Sequence, residues 1–298
     1  MIASILLALA TPTTDIAPMI RHEVERPDGS AVTYWLEDTS GRSSEIVLVM
    51  QGTGCEAVLS KPNLRVVAET LRPNARILLI DKIGSGTDDG MPLVDGCSQR
   101  YWNQYTLSQR VQDCLRVIAD LRRQTWWNGG IVIFGGSEGG AVAALLAPLV
   151  PETKAIIVLS SGTGIPIGDL IRTALPQQMS AEASVAFAGA HEQPTGQKRW
   201  AGLSYRWWDD AVDIVPARSL AQSPAPVLLI HGAHDKSSPV FSARAGRDLL
   251  QGAGKTNVTY REFAGLDHSM RDASGTDHMN KVLRGAREWI EALDYADQ

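Results

Sequence analysis

The chain has 298 residues, enough for one large α/β domain or two small ones, and its apolar share of 44% is ample for a buried core. The formal net charge of −5 is mild and is not gathered into runs, which removes the electrostatic reason to expect nucleic acid or an anionic membrane surface as a partner. Three cysteines are too few for a disulfide scaffold and leave room for one bridge and one buried thiol.

In chain order, the first ten residues form an apolar run too short to cross a bilayer. The run fits the core of a signal peptide, with Ala8-Leu9-Ala10 as a small-x-small cleavage site, although no Lys or Arg precedes it. Residues 1–20 therefore read as an export signal or as a loosely docked N-terminus. Export, to the periplasm in a bacterial cell, is the expectation and a cytoplasmic enzyme the alternative. No other stretch is long enough to be a membrane-spanning helix. Two alternating runs, 21–26 and 31–37, flank Pro27-Asp28-Gly29 and predict an opening antiparallel hairpin.

From there the pattern changes. Apolar runs at 45–50, 76–80, 131–134, 155–160, 226–231 and 258–263 alternate with helical periodicity, the signature of a mostly parallel, doubly wound sheet covered on both faces. Leu107, Val111, Cys114, Leu115, Ile118 and Leu121 make one helical stripe, and Val282, Ala286, Trp289, Ile290 and Leu293 another. Residues 141–149 are small and apolar, as in a helix packed deep against a sheet. About 65 residues between Ser160 and Pro226 hold no clear strand, too many for a plain connection. The expected organisation is thus a single domain over 21–298, with a partly helical insertion at roughly 162–224 acting as a cap.

The chemistry-bearing motif is Gly135-Gly136-Ser137-Glu138-Gly139-Gly140, directly after the run 131–134 and directly before the Ala-rich helix. G-x-S-x-G between a strand and a helix is a nucleophile elbow: the serine sits in a sharp strained turn, so its neighbours two residues away must lack bulk. A helix N-terminus there also favours developing negative charge. A dinucleotide-binding turn needs G-x-G-x-x-G, and Ser137 and Glu138 stand where its second glycine would have to be.

On this motif and its setting the chain resembles the α/β-hydrolase superfamily from about residue 21 onward, and its Ser137-Glu138-Gly139-Gly140 elbow is similar to those of bacterial esterases and dienelactone-hydrolase-like members. The resemblance implies a catalytic triad in the order Ser, Asp, His, and an oxyanion hole built partly after the third strand. Asp235, in Gly232-Ala233-His234-Asp235 after the run 226–231, matches the family's acid. His268, in Gly265-Leu266-Asp267-His268, matches its base. His278 and Asp267 are the runners-up. The oxyanion donors would be the backbone N–H groups of Glu138 and Thr53, with Gly54 as second choice to Thr53; the loop begins Gln51-Gly52 where many relatives have His-Gly. The resemblance implies no cofactor and no metal: His231, His234 and Asp235 lack the spacing and further ligands of a metal site.

The implied activity is hydrolysis of small-molecule carboxylic esters, thioesters or lactones through an acyl-enzyme. A non-hydrolytic acyltransferase or C–C lyase, and a binding protein on a decayed scaffold, are the alternatives; oligomeric state is not legible. Trp207 and Trp208 in the insertion would line the substrate pocket or simply pack the cap. Glu138 reads mainly as a favourable first-turn charge, with repulsion of anionic substrates as the lesser reading. Cys55 and Cys97 fall in loops at the same carboxyl edge of a parallel sheet and are expected to form a disulfide, whereas Cys114 lies on an apolar helix face.

Overall fold

A computed structural model of the protein describes residues 17–37, 43–86 and 93–296; most of the expected export signal lies outside the described residues. Strands β1 (Met19–Glu25) and β2 (Ala31–Glu37) form the antiparallel hairpin, which begins at Met19, two residues earlier than expected. Then follow β3 (Ile46–Met50), α1 (Pro62–Leu71), β4 (Arg76–Ile80), α2 (Gln99–Gln104), α3 (Leu107–Leu121), β5 (Ile131–Gly136), α4 (Glu138–Leu146) and β6 (Thr153–Leu159). The segment between β6 and the next sheet strand carries α5 (Ile167–Ala174), α6 (Gln177–Glu192), a ribbon of β7 (Arg199–Trp200) and β8 (Leu203–Ser204), α7 (Tyr205–Ala211) and α8 (Pro216–Leu220). The chain returns through β9 (Val227–Gly232), α9 (Val240–Gly252), β10 (Val258–Phe263) and α10 (Met279–Ala296).

Eight strands join in the order β1-β2-β4-β3-β5-β6-β9-β10. Strand β2 is antiparallel to both β1 and β4, and all other neighbours are parallel. The period-two alternation inside the apolar runs decides which face each residue serves. Ile46, Leu48, Ile131 and Ile133 face the core under α3 and α4, whereas Val47, Val49, Val132 and Phe134 face the core under α1 and α10. Both faces being covered explains why the runs read as continuous and not alternating. Thr106 starts α3 by accepting a hydrogen bond from Gln109 N–H, and Ser204 starts α7 in the same way from Trp207 N–H.

The register aligns the strand ends. Met50 pairs with Gly135, Gly136 with Leu159, and Gly232 with Phe263. The loops after β3, β5, β9 and β10 therefore emerge side by side at one carboxyl edge. The two-residue ribbon β7–β8 departs from the strandless insertion read from sequence. Its turn, Ala201-Gly202, has φ of 48° and 77°, the doubly positive form that closes a tight hairpin, and strands this short leave no periodicity to read. Among the described residues, no helix is long and apolar enough to cross a membrane.

Candidate active site

Ser137 follows β5 directly, at φ 53° and ψ −126°, a region that non-glycine residues avoid at a cost of about 1–3 kcal/mol. Its N–H is held by Leu159 O at 2.9 Å and its carbonyl accepts from Gly140 N–H at 2.9 Å, so neighbours on both sides sustain the strain. A Cβ on Gly135 would collide with the Gly139 carbonyl, which is why the strand and α4 approach only through glycine.

Asp235 and His268 are brought together. His268 Nδ1 lies 2.8 Å from Asp235 Oδ2, while Asp235 Oδ1 accepts from the N–H groups of Ser237 (2.9 Å) and Ser238 (2.8 Å). The loops carrying them interlock, with His234 N–H donating to Leu266 O at 2.9 Å. Burial pulls the Asp235 carboxyl upward, but hydrogen bonds from His231, His268 and Ser238 outweigh it and bring its pKa down to about 2. A carboxylate can only accept, so the 2.8 Å contact makes Nδ1 the donor on His268.

The runners-up are committed elsewhere. His278 Nε2 pairs with Asp272 at 2.8 Å, and Asp267 binds the N–H groups of Ser269 and Arg271 at 2.9 Å each. His231 is buried, with Nε2 2.6 Å from Ser238 O and 3.2 Å from Asp235 Oδ2; it buttresses the acid, a role the sequence reading missed.

A cavity of about 230 Å³ opens at Ser137. Thr53 borders it beside the serine, and Gly52 packs so close that a Cβ there would stand 3.4 Å from Ser137 Cβ. Ser237 and Ser238 of the acid loop border it too. The apolar wall comes from Leu107 and Ala141 on one side and from Ile167, Leu170, Leu203 and Trp207 of the insertion on the other. The cavity lining includes Ser137 but neither Asp235 nor His268; the larger surface hollows of 600–670 Å³ include none of the three. The two tryptophans separate in role. Trp207 borders the cavity, whereas Trp208 is fully buried among Phe187, Trp200 and Trp207 and donates from Nε1 to Trp200 O at 2.9 Å.

Glu138 does stand in the first turn of α4, as its main reading expects, and the structure overturns only the lesser one, repulsion of anionic substrates. Its side chain is only 5% exposed and turns inward, with Oε1 2.8 Å from Lys82 Nζ, 3.7 Å from Arg110 Nη1, and hydrogen-bonded by the Tyr105 hydroxyl. Burial raises its carboxyl, and the charges of Lys82 and Arg110 override that and hold it below the usual range. A carboxylate so enclosed does not face the substrate. Cys55 and Cys97 form the expected disulfide beside this cluster, and Cys114 is free and buried, its thiol pushed up to about 12 by burial.

The family model that matches the chain is that of the prolyl oligopeptidase family, over residues 99–292, a span that includes Ser137, Asp235 and His268. No curated protein matches the sequence. Similar solved structures include Est1E from Butyrivibrio proteoclasticus, at 16% identity and TM-score 0.60 over 92% of this chain and 99% of that one. An esterase from Pyrococcus furiosus is similar at 14% identity and TM-score 0.61, over 97% of this chain and 93% of that one. The acylaminoacyl peptidase of Pyrococcus horikoshii is similar at 17% identity and TM-score 0.63; there 93% of this chain covers only 42% of the longer one. At such identities these likenesses show the fold, and the family match carries the membership: the chain belongs to the prolyl oligopeptidase family, serine hydrolases built on the α/β-hydrolase fold.

Proposed function

We propose that the protein is a carboxylesterase acting on esters of small, uncharged acyl groups. The observation that carries this reading is the cavity at Ser137. Its volume of about 230 Å³ falls below the range of roughly 300–1,000 Å³ usual for larger ligands, and its wall combines aliphatic and aromatic side chains with uncharged hydroxyls of Thr53, Ser161, Ser237 and Ser238. Among the described residues its one charged lining residue is Glu138, whose carboxylate is turned to Lys82. A free peptide terminus would find no ion partner there, which favours an ester over a peptide. Est1E, a similar fold, has been solved with ferulic acid bound; a single-ring acyl group is therefore worth including among substrates.

In this reading His268 Nε2 takes the Ser137 proton during attack on the ester carbonyl, and Asp235 stabilises the resulting imidazolium. The N–H groups of Thr53 and Glu138 hold the oxyanion, the alcohol leaves with the proton from His268, and water releases the acid by the same path. The residues of the insertion that wall the cavity act as a cap selecting the acyl group. The disulfide fits an oxidising compartment and supports export.

The test is a panel of p-nitrophenyl esters of graded acyl length, run beside anilides and peptides, with Ser137→Ala as control. Short esters should turn over fastest, and Ser137→Ala should remove both hydrolysis and fluorophosphonate labelling with the melting temperature nearly unchanged. Peptides cleaved faster than every ester would replace this reading with a peptidase.

A further inference from the structure

The buried cluster under the elbow joins two segments that the proposed chemistry needs in register. The loop after β3 carries Thr53, and the start of α4 carries Glu138. Lys82, two residues beyond β4, reaches both: its ammonium donates to Gly52 O at 2.6 Å, to Gly54 O at 2.8 Å and to Glu138 Oε1 at 2.8 Å. All three of its protons are thereby directed, and its side chain is fully buried.

The planarity of the peptide bond turns these contacts into an orientation. Gly52 C=O and Thr53 N–H belong to one trans peptide and point in opposite directions. An ammonium holding the carbonyl on the inner side therefore aims the N–H outward, on the side where Thr53 borders the cavity with Ser137. The other donor peptide is held likewise, since Ser137 O, trans to Glu138 N–H, accepts from Gly140 N–H. Arg110 adds a second cation, donating from Nη1 to Gln51 O at 2.7 Å, one peptide earlier in the same loop. Burial pulls the Lys82 ammonium down to about 8 against the attraction of the Glu138 carboxylate, so that it is still mostly a cation at neutral pH. A cation on a carbonyl also polarises that peptide and strengthens its N–H as a donor.

We propose that Lys82 is a positioning residue of the oxyanion hole, orienting and polarising the Gly52–Thr53 peptide while tying it, through the Glu138 carboxylate, to the helix that supplies the second donor. The proposal rests on the serine-hydrolase reading above. Its benefit would be felt only when the carbonyl oxygen gains charge, so the transition state should depend on Lys82 and ground-state binding should not.

The experiment compares wild type, Lys82→Met and the double variant Lys82→Met/Glu138→Gln, which removes the carboxylate that the single change leaves short of a partner. An alkyl trifluoromethyl ketone, which adds to the serine and places an oxyanion in the hole, is the probe. The methyl ketone of the same chain length, which binds without adding, is its control. Kcat on a short p-nitrophenyl ester should fall on the order of 10²-fold with KM within about twofold, the size seen when one oxyanion donor is lost. The trifluoromethyl ketone should weaken by a similar factor and the methyl ketone should not. A folded variant that keeps wild-type affinity for the trifluoromethyl ketone overturns the proposal. So does a parallel loss for both ketones, or the failure of both variants to fold, either of which would make Lys82 a residue of general stability. Wild type that neither hydrolyses esters nor takes a phosphonate would instead sink the hydrolase reading, and is distinguished because it needs no variant.

Discussion

Removing the Cys55–Cys97 bridge should separate stability from catalysis in a measurable way. The bridge closes a sequence separation of 42 residues. In the chain-entropy account, a loop of that size withholds about 13 cal/mol/K from the unfolded state, or about 4 kcal/mol at 25 °C. Unfolding a chain of this length carries an entropy of about 0.6 kcal/mol/K, so the double variant Cys55→Ser/Cys97→Ser should melt about 6 °C lower. The bridge also anchors the loop that carries Thr53, two residues before Cys55. Lys82 and Arg110 still hold Gln51, Gly52 and Gly54 once it is gone. The activity loss should therefore be on the order of tenfold or less, smaller than for Lys82→Met. Initial rates at 25 °C, with calorimetry and urea titration of the same samples, read both effects. Wild type treated with a phosphine reductant should behave as the double variant, losing activity at temperatures where it is still folded. A double variant that melts within about 1 °C of wild type, or activity lost only along the unfolding transition, would refute the reasoning.

Three further outcomes follow from the site. His268→Ala should cost on the order of 10³-fold or more in kcat, and Asp235→Asn a comparable amount, whereas His278→Ala and Asp267→Asn should be mild; steady-state kinetics on one ester would expose a reversed ranking. Asp235 titrates at about 2 in the fold against 3.8 for an ordinary aspartate. A pKa lowered by folding stabilises the native state above the unfolded value, so roughly 2 kcal/mol should be present above pH 4 and lost as pH falls from 4 to 2. Asp235→Asn should flatten that part of the stability profile, and urea titrations at pH 5, 3.5 and 2.5 would show an unchanged slope if the carboxylate is not the cause. Trp207→Ala should widen the cavity and shift preference toward longer or bulkier acyl groups, with reactivity toward a small phosphonate kept within about threefold. Equal losses on every ester, together with a lower melting temperature, would mean that Trp207 only packs the insertion.

The fold was legible because its strands are local. Each central strand is a short continuous apolar run, and the sequence runs at 76–80 and 258–263 match β4 and β10 end for end. The elbow was legible for the same reason, since strand, turn and helix are contiguous. What sequence could not display was Lys82 and Arg110 beneath Glu138. Lys82 stands in a loop that reads as a turn, and Arg110 among polar residues of an amphipathic helix. Only the strand order, with β3 between β4 and β5, carries Lys82 across to α4. The one available signal was the acidic residue beside the nucleophile, and its first-turn position offered a sufficient local explanation. The ribbon in the insertion was hidden for the opposite reason, being too short to generate a period.

The sheet order also dictates when a working site can exist. Ile46 must find Ile131 before the oxyanion loop meets the elbow, and β9 must return to β6 across the whole insertion before Asp235 is in place. His268 comes last, after β10 has paired along the edge of β9. A chain truncated at Leu220 contains Ser137, Lys82 and Arg110 but neither Asp235 nor His268. In the proposed mechanism the protein is inert until nearly the whole chain has emerged and the outermost parallel strand has docked. In that mechanism each turnover reports that β10 has docked on β9, and a product truncated before β10 carries the nucleophile without the base to use it.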